Sequence, residues 1–401
     1  MVTIRNTWAV VAWFVALALA AEPGPVETYP PEARGQAPAF PGQTRVNAAP
    51  STERYKVVSV ATGLESPWGL AFLPDGRALV TEKPGRLRVL NSNGSLSVPL
   101  PGVPKVLASG QAGLLDIVLD PQFAANHRVY LTYHEARAFG SGISVYRATF
   151  DETSGPALVE GRVIFRAEPS RVGTTNVGSR MAFLGDGTLI VSVGDRFGSR
   201  DEAQNLGSDL GKLIRITVDG QIPPDNPFVG VAGARGEIWS LGHRNPQGLT
   251  FDAATGTLWE VEHGARGGDE LNRPVAGRNY GWPVITYGID YSGFPIGKGL
   301  TRQEGLEQPV YYWDPVIAPS GLALYQADLF PSWKGNLFVG GLRGEHLDRL
   351  VVQEGRVVGE ERLLTELGER VREVEVGPEG AIYLLTDNPR GRVLKLVPAG
   401  K

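Results

Sequence analysis

The chain has 401 residues, of which 42% are hydrophobic and 20% charged, so it is long enough for one large globular domain or two ordinary ones. Its formal net charge is -4 and its lysines and arginines are scattered, which argues against nucleic-acid binding. It contains no cysteine and hence no disulfide, while 52 glycines and 30 prolines favour short strands joined by turns.

The N-terminus has the features of a secretory signal peptide over residues 1–20. A single basic residue, Arg5, precedes an apolar run that ends in the small residues Ala18 and Ala20. The run is shorter than the ~20 residues of a membrane-spanning helix, although an uncleaved anchor is the alternative. We therefore expect a periplasmic or secreted protein without stable membrane insertion of the mature chain. Residues 21–52 are rich in Pro, Ala, Gly and Glu and are expected to form a flexible linker.

From about Tyr55 onward one pattern recurs, in which two or three apolar strands are joined by turns containing Asp or Gly. Six copies begin at Gly69, Asp116, Met181, Gly248, Gly321 and Val374. Each copy alternates apolar and polar residues like a hairpin, and none could bury its apolar face alone. Spacings of roughly 45 to 75 residues suit a four-stranded blade with variable loops.

This repeat predicts an all-β fold for residues 53–401, a six-bladed β-propeller of four-stranded antiparallel blades. A two-sheet β-sandwich is the alternative, but it would not require six similar units. Ligands of such a ring usually bind at the mouth of the central channel, where the loops of all blades meet.

Three motifs follow one another in the second half of the chain. They read GHRNPQG from Gly242, EHGARGGDELN from Glu262 and GRNYGWP from Gly277. The first places Arg244 and Asn245 beside glycines, and the second adds a carboxylate pair. Such a combination suits an anionic ligand together with a hard cation.

With these motifs in this order, the chain resembles the soluble aldose sugar dehydrogenases that depend on pyrroloquinoline quinone (PQQ), a branch of the glucose/sorbosone dehydrogenases. The similarity extends over about residues 57–397. It implies a six-bladed propeller with PQQ and calcium as cofactors. It also implies oxidation of an aldose to a lactone, with hydride transfer to the quinone, and an external electron acceptor.

PQQ carries three carboxylates, so its site needs cationic side chains and donors at the quinone oxygens. The resemblance assigns the carboxylates to Arg343, Arg370 and Arg372, and the quinone end to Arg244 and Asn245. Arg370 and Arg372 are two apart on a predicted strand and so share a face. The family normally has Lys at the position of Arg343, which keeps the charge but presents its donors differently.

Two calcium sites are implied by the same resemblance. The backbone carbonyls of Gly264 and Ala265 match the pair that binds the calcium of the cofactor, with Ala in place of the usual Pro. Glu270, Tyr280 and Asp290 resemble a second, structural calcium site, to which Tyr280 would contribute its carbonyl. A loop held by ordinary hydrogen bonds is the alternative for this second set.

The substrate side departs from the family. Gln111 matches a residue that contacts the sugar, although a buried turn amide is the alternative. Asn176, four residues before Arg180, stands where the family has the His that takes the sugar hydroxyl proton. Because Asn cannot accept a proton at neutral pH, the expected general base is missing. Asp195 matches the carboxylate that orients that His, so here it is either a turn residue or a substitute base. His263 is not expected to be the base.

Three functional hypotheses remain. The first is the exported PQQ- and calcium-dependent aldose dehydrogenase. The second is a propeller that binds PQQ or sugar without turnover, which the substitution at Asn176 supports. The third is a calcium-dependent lactone hydrolase, for which the sequence does not assemble a central set of carboxylates. His243 and Trp282, within the motif region, are expected to be structural residues.

Overall fold

The computed structural model describes residues 23–400, and the expected signal peptide lies outside them. Within that range the regular secondary structure is almost entirely β-strand, with one short helix, α1 (Phe123–Asn126), and two single-turn 3-10 helices at Arg200–Gln204 and Pro331–Trp333. No helix between residues 23 and 400 is both long and apolar enough to cross a membrane.

The strands, in chain order, are β1 (Tyr55–Leu64), β2 (Pro67–Phe72), β3 (Ala78–Glu82), β4 (Arg86–Leu90), β5 (Leu114–Leu119), β6 (Arg128–Ala136), β7 (Ser141–Asp151), β8 (Ala157–Arg166), β9 (Gly178–Phe183), β10 (Leu189–Val193), β11 (Lys212–Ile216), β12 (Ile238–Leu241), β13 (Pro246–Asp252), β14 (Thr257–Glu262), β15 (Asp269–Asn272), β16 (Tyr311–Trp313), β17 (Pro319–Leu324), β18 (Leu337–Gly341), β19 (Leu347–Gln353), β20 (Arg356–Leu363), β21 (Val371–Val376), β22 (Ile382–Thr386) and β23 (Gly391–Pro398).

These strands form six antiparallel sheets, which confirms the predicted six-bladed β-propeller. The blades are β2–β4, β5–β8, β9–β12, β13–β16, β17–β20, and β21–β23 completed by β1. The innermost strands β2, β5, β9, β13, β17 and β21 contact one another in sequence, and β21 contacts β2, so the ring is closed. Pairing of β1 with β23 joins the two ends of the chain in one blade.

The first blade has three regular strands, and an irregular segment takes the fourth position. Ser97 donates its backbone N–H to the Val89 carbonyl at 2.9 Å, and Leu100 donates to Leu87 at 2.9 Å. The pairing with β4 is thus maintained without a continuous ladder.

The hydrophobic core lies between neighbouring blades. Leu79 of the first blade and Leu131 of the second belong to one buried cluster. Tyr130 of the second blade and Val191 of the third belong to another. Each sheet therefore buries its apolar faces against the next sheet, which is why a single hairpin copy could not be stable alone.

Residues 23–52 pack against the propeller, which differs from the flexible linker expected from their composition. The backbone N–H groups of Glu32 and Ala33 donate to the Asp314 carboxylate at 2.7 and 3.0 Å. Ala33 and Val46 are buried, and Arg45 donates to the carbonyl of Asp314 at 2.6 Å. A few anchoring residues hold the segment, and average composition does not reveal them.

The blade topology determines which loops lie at the mouth of the central channel. In an antiparallel blade, the start of the innermost strand and the end of the second strand lie at the same end of the sheet. Arg244 and Asn245 precede β13, and His263 follows β14, whose last residue pairs with the first of β13. Asn176 and Asp195 have the same relation to β9 and β10.

Candidate active site

A cluster of cations lies at the mouth beside the sixth blade. Arg370 and Arg372 both contact the Asp387 carboxylate, at 2.8 and 3.2 Å, as their two-residue spacing predicts. Burial would raise the pKa of Asp387, but the charges of Arg372 and Arg370 outweigh it and hold the pKa at about 2. Burial, and next the charge of Arg372, lower the pKa of Lys83. Two arginines therefore share one carboxylate, and the Lys83 ammonium, which donates to the Gly110 carbonyl at 2.6 Å, adds a third positive charge to this region.

Arg372 has unused hydrogen-bonding capacity. Its guanidinium donates to the Gln247 side-chain oxygen at 3.1 Å, while its Nε is buried and has no hydrogen-bond partner within residues 23–400. A buried donor without a partner is costly. An anionic ligand at this position would supply the missing acceptor.

Arg343 lies at the exposed rim of the same region. Arg370 donates to the carbonyl of Leu342 at 3.3 Å, which places Arg370 next to the backbone of the segment that carries Arg343. The guanidinium of Arg343 itself lies 3.4 Å from a carboxylate oxygen of Glu32, in the N-terminal segment. The sequence did not indicate this partner, because the segment was expected to be a linker.

The Arg244–Asn245 turn is held by the buried carboxylate of Glu262. One oxygen of Glu262 accepts the backbone N–H of Arg244 and, at 3.1 Å, that of Asn245. The Arg244 guanidinium donates to the carbonyl of His263 at 3.2 Å, and its Nε is buried without a partner in the described chain. The turn thus presents a second buried cation with a free donor.

His263 connects the two groups of cations. Its Nε2 lies 2.8 Å from the Pro319 carbonyl and must donate there, which leaves Nδ1 facing the Asn245 amide at 3.4 Å. Burial, and then the charges of Arg244 and Arg372, lower the pKa of His263 to about 3. The imidazole is therefore neutral and a poor base. Gln247 links the two groups of cations directly, because it accepts a hydrogen bond from Arg372 at 3.1 Å and its amide nitrogen lies 3.4 Å from the Asn245 side-chain oxygen.

Asn176 and Asp195 occupy the substrate side of the site. The Asn176 amide Nδ2 donates to Asp195 Oδ1 at 2.9 Å, and the Asn176 backbone N–H donates to the Gln111 side-chain oxygen at 2.7 Å. Asp195 also accepts the backbone N–H of Phe197 at 2.7 Å and the indole N–H of Trp282 at 2.8 Å. Burial raises the pKa of Asp195, against the charge of Arg244. The structure thus brings together the predicted substrate-side residues.

Trp282 does more than pack, in contrast to the structural role expected for it. Besides its hydrogen bond to Asp195, its ring centre lies 5.2 Å from the guanidinium carbon of Arg244. It therefore joins the Asp195 side of the site to the Arg244 side.

A cavity opens to solvent from Asp195, Arg244 and Trp282. Its volume of about 430 Å³ is within the range of small-molecule binding sites. Its buried walls are formed by Asp195, Arg244, Ala265 and Trp282, and its exposed rim by Phe197, Arg200, Asp290 and Tyr291.

The predicted calcium loop borders this cavity at Ala265. The Asp269 carboxylate accepts the backbone N–H of Gly264 and that of Ala318, each at 2.7 Å, and burial raises the pKa of Asp269 to about 7. A Cβ at Gly264 would collide with the backbone of Gly268, so only glycine fits. The loop is rigid enough to present backbone carbonyls, and calcium at this place stays a prediction.

Glu270 belongs to a buried polar cluster between the third and fourth blades. The amide nitrogen of Asn272 lies 3.3, 3.0 and 3.2 Å from carboxylate oxygens of Glu270, Glu260 and Glu262. Burial, and then the negative charge of Glu262, raise the pKa of both Glu260 and Glu270.

The structure shows no direct contact among the residues of the second predicted calcium set. Tyr280 stacks on His243 with ring centres 4.9 Å apart, next to the Glu270 cluster. Asp290 accepts a hydrogen bond from Ser292 and lies 3.6 Å from Arg200 at the cavity rim. Within residues 23–400 no hydrogen bond or ion pair joins Asp290 to Glu270 or Tyr280. A calcium site formed by these three residues stays a prediction.

Sequence reasoning missed Lys83 and Glu262 as site residues. Lys83 directly follows β3, the second strand of its blade, just as His263 follows β14. The rule that second-strand ends meet at the mouth could have identified Lys83.

Comparison with known proteins agrees with this geometry. Residues 64–395 match the family model described as Glucose / Sorbosone dehydrogenase. The aldose sugar dehydrogenase YliI of Escherichia coli is 44% identical over 355 residues, covering 88% of this chain and 94% of the relative. The crystal structure of the soluble E. coli aldose sugar dehydrogenase in its apo-form superposes with a TM-score of 0.83 at 42% identity, covering 86% of this chain and all of that one. The PQQ-bound aldose sugar dehydrogenase of Streptomyces coelicolor gives a TM-score of 0.71 at 32% identity, with 87% and 100% covered.

Proposed function

The chain belongs to the glucose/sorbosone dehydrogenase family, and from this premise we propose that it is an exported, PQQ- and calcium-dependent enzyme that oxidises aldose sugars to lactones. Sugar dehydrogenases among its relatives support the reaction class, and the PQQ-bound neighbour supports the cofactor. An external acceptor then takes the electrons. The signal-like residues 1–20 motivate the export proposal, which cell fractionation tests directly.

One observation carries the proposal, namely the excess of buried donors at the mouth. Arg244 and Arg372 each bury an Nε without a partner within the described residues, and Arg370 and Arg372 share the single carboxylate of Asp387. A ligand with several carboxylates fits this donor set, because charge-assisted hydrogen bonds would pair the free donors.

In the proposed assembly, Arg370 and Arg372, with Lys83 and Arg343, would hold the carboxylates of the cofactor. Arg244 and Asn245 would contact its quinone end, and the Gly264–Ala265 loop would supply carbonyl oxygens for calcium. When bound, PQQ would supply the two-electron acceptor that takes the hydride of the anomeric carbon. Arg244, whose backbone N–H is held by Glu262, would place a positive charge at the quinone end.

The proton of the sugar hydroxyl needs an acceptor of its own. Asn176 directs its amide nitrogen to Asp195, so only its carbonyl oxygen is left to accept a hydrogen bond from the substrate. Asp195 is the neighbouring group that can hold a proton, and its raised pKa makes it a stronger base than an ordinary carboxylate. We assign the proton to Asp195, because Asp195 lines the cavity whereas the Asn176 amide cannot accept a proton.

A second candidate function is a propeller that binds PQQ or sugar without turnover, and the Asn176 amide at the base position favours it. Titration of the purified protein with PQQ, with calcium present, tests the feature common to both. We expect binding at micromolar PQQ or tighter, and its absence would refute the enzyme and the PQQ-binding form of the second candidate, leaving only a sugar-binding propeller. Reduction of a dye on adding glucose then separates the enzyme from the non-catalytic binder.

A further inference from the structure

The N-terminal segment, residues 23–52, passes beside the proposed cofactor site. It precedes residues 64–395, the part of the chain that matches the family, so the resemblance assigns it no role. The carboxylate of its Glu32 lies 3.4 Å from the guanidinium of Arg343 and 3.9 Å from Nε of Arg266. Arg343 is a proposed ligand of the cofactor, and Arg266 directly follows the predicted calcium-binding residues. A single acid of the N-terminal segment therefore faces two parts of the proposed site.

The main chain of Glu32 is fixed to the propeller. The N–H groups of Glu32 and Ala33 donate to the Asp314 carboxylate at 2.7 and 3.0 Å, and Ala33 is buried. These contacts hold the segment without using the Glu32 side chain, which can still rotate about its own bonds. The carboxylate of Glu32 can therefore move away from Arg343 while the segment stays in place.

The Glu32 carboxylate is incompletely paired where it lies. Both arginines approach only its Oε1, while Oε2 is buried and has no hydrogen-bond partner within residues 23–400. Charge-assisted hydrogen bonds are typically shorter, about 2.7–2.9 Å. The side chains of Arg343 and Arg266 are 57% and 47% exposed, so solvent screens both contacts. A ligand carboxylate that pairs with Arg343 in a bidentate arrangement would therefore form the stronger contact.

Glu32 carries the same charge as the carboxylates of the proposed cofactor. A cofactor carboxylate that binds Arg343 must displace Glu32 or lie close to it, and like charges that are close together repel each other. Displacement requires the existing ion pair to be broken, and proximity adds the repulsion. Both routes weaken cofactor binding, so removal of the Glu32 charge should strengthen it.

We propose that Glu32 is an internal competitor of the cofactor for Arg343. Its carboxylate pairs with the guanidinium until a cofactor carboxylate displaces it, and it returns when the cofactor leaves. The affinity for the cofactor is thereby held below the value that Arg343, Arg370 and Arg372 alone would give. This inference rests on the proposed function, because only there is Arg343 assigned to a cofactor carboxylate.

Calorimetric titration with PQQ, with calcium present, tests this competition. Glu32→Gln keeps the size of the side chain and removes its charge, and we expect it to bind PQQ about 3-fold more tightly than the natural protein, the order expected of one partly exposed ion pair. In an Arg343→Gln background the same change should leave the affinity unchanged, because the contested cation is gone. Glu27→Gln is the matched control. It removes another acid of the same segment, whose partner at 2.9 Å is Arg362 and not a proposed cofactor ligand, and it should leave the affinity unchanged.

Three results would overturn the competition. PQQ affinity that Glu32→Gln leaves unchanged or lowers would mean that Glu32 does not oppose the cofactor. An equal gain with and without Arg343 would indicate general repulsion, and an equal gain in Glu27→Gln would indicate loosening of the segment. Failure of the proposed function is distinguishable, because then neither the natural protein nor Glu32→Gln binds PQQ, whereas a failed competition leaves PQQ bound by both with equal affinity.

Discussion

Replacing Asn176 by His should convert a weak or idle catalyst into a faster one. The amide nitrogen of Asn176 lies 2.9 Å from Asp195 Oδ1, so an imidazole N–H at this position can donate to the same oxygen. Asp195 would then fix the tautomer and leave the other ring nitrogen free to take the proton. The φ of 49° at Asn176 is a left-handed conformation that His tolerates better than most residues.

The expected gain follows from the value of a positioned general base, about 10²–10⁴-fold in rate. We expect about 100-fold, the lower end, because Asn176 is only 4% exposed and the larger ring must displace neighbouring groups. That factor corresponds to roughly 3 kcal/mol of the activation free energy. PQQ affinity should change less than about 2-fold, because the described contacts of Asn176 are not with the cations at the mouth.

Steady-state dye reduction with saturating PQQ, calcium and glucose measures this gain. Asn176→Gln is the matched control, because it enlarges the side chain without adding a base and should give no increase. A His variant that binds PQQ but is no faster than the natural protein would refute the reasoning. If the natural protein is active and Asp195→Asn abolishes that activity, Asp195 is the base. If neither the natural protein nor the His variant oxidises sugar with PQQ bound, the chain is a non-catalytic binder.

Three further outcomes are expected. Replacing Arg370 and Arg372 together by Ala should weaken PQQ binding at least 10-fold, since each charge-assisted hydrogen bond is worth about 1.5–3 kcal/mol. Arg77→Ala, which breaks two surface ion pairs, with Asp75 and Glu152, should leave the affinity measured by calorimetry unchanged. The ionised Asp387 should stabilise the fold by roughly 2 kcal/mol above pH 4, because its pKa falls from 3.8 in the unfolded chain to about 2 in the folded one. This contribution is lost as the pH falls from 4 to 2, so the free energies of unfolding of the natural protein and Asp387→Asn should converge near pH 2. A difference that stays constant with pH would contradict the ion pairing. PQQ with calcium should raise the midpoint temperature of thermal unfolding. At a PQQ concentration 100 times the dissociation constant, the stabilisation is about 2.7 kcal/mol. An unchanged midpoint at that concentration would mean that the native state does not bind PQQ and calcium.

Local patterns were sufficient to predict the blades. Alternating strands and turns are short-range features, and the six copies could bury their apolar faces only by stacking on one another. The spacing of Arg370 and Arg372 predicted that they share a face, because residues two apart on a strand face the same way, and their common contact with Asp387 agrees with this. Their contact with a cofactor stays a prediction. The family resemblance supplied Asn176 and Asp195, and the structure places them in contact.

Long-range features could not be predicted. The hydrogen bond from Trp282 to Asp195 joins two loops of different blades, and no spacing in the sequence indicates it. The packing of residues 23–52 depends on a few contacts, such as those of Asp314 with Glu32 and Ala33, within a segment whose composition is typical of linkers. Asp290 was assigned to a metal site by resemblance, whereas the loop that carries it folds onto the cavity rim.

Single-turnover reduction of bound PQQ by an aldose tests the proposed enzyme most directly. The apoprotein is loaded with PQQ and calcium, mixed with excess glucose without any dye, and followed by the visible absorbance of the quinone. We expect the absorbance to change to that of the reduced cofactor, more slowly with glucose deuterated at the anomeric carbon, because that hydrogen leaves as hydride. PQQ that binds but stays oxidised in the presence of glucose, maltose and maltotriose would contradict the assignment of the chain as an aldose dehydrogenase.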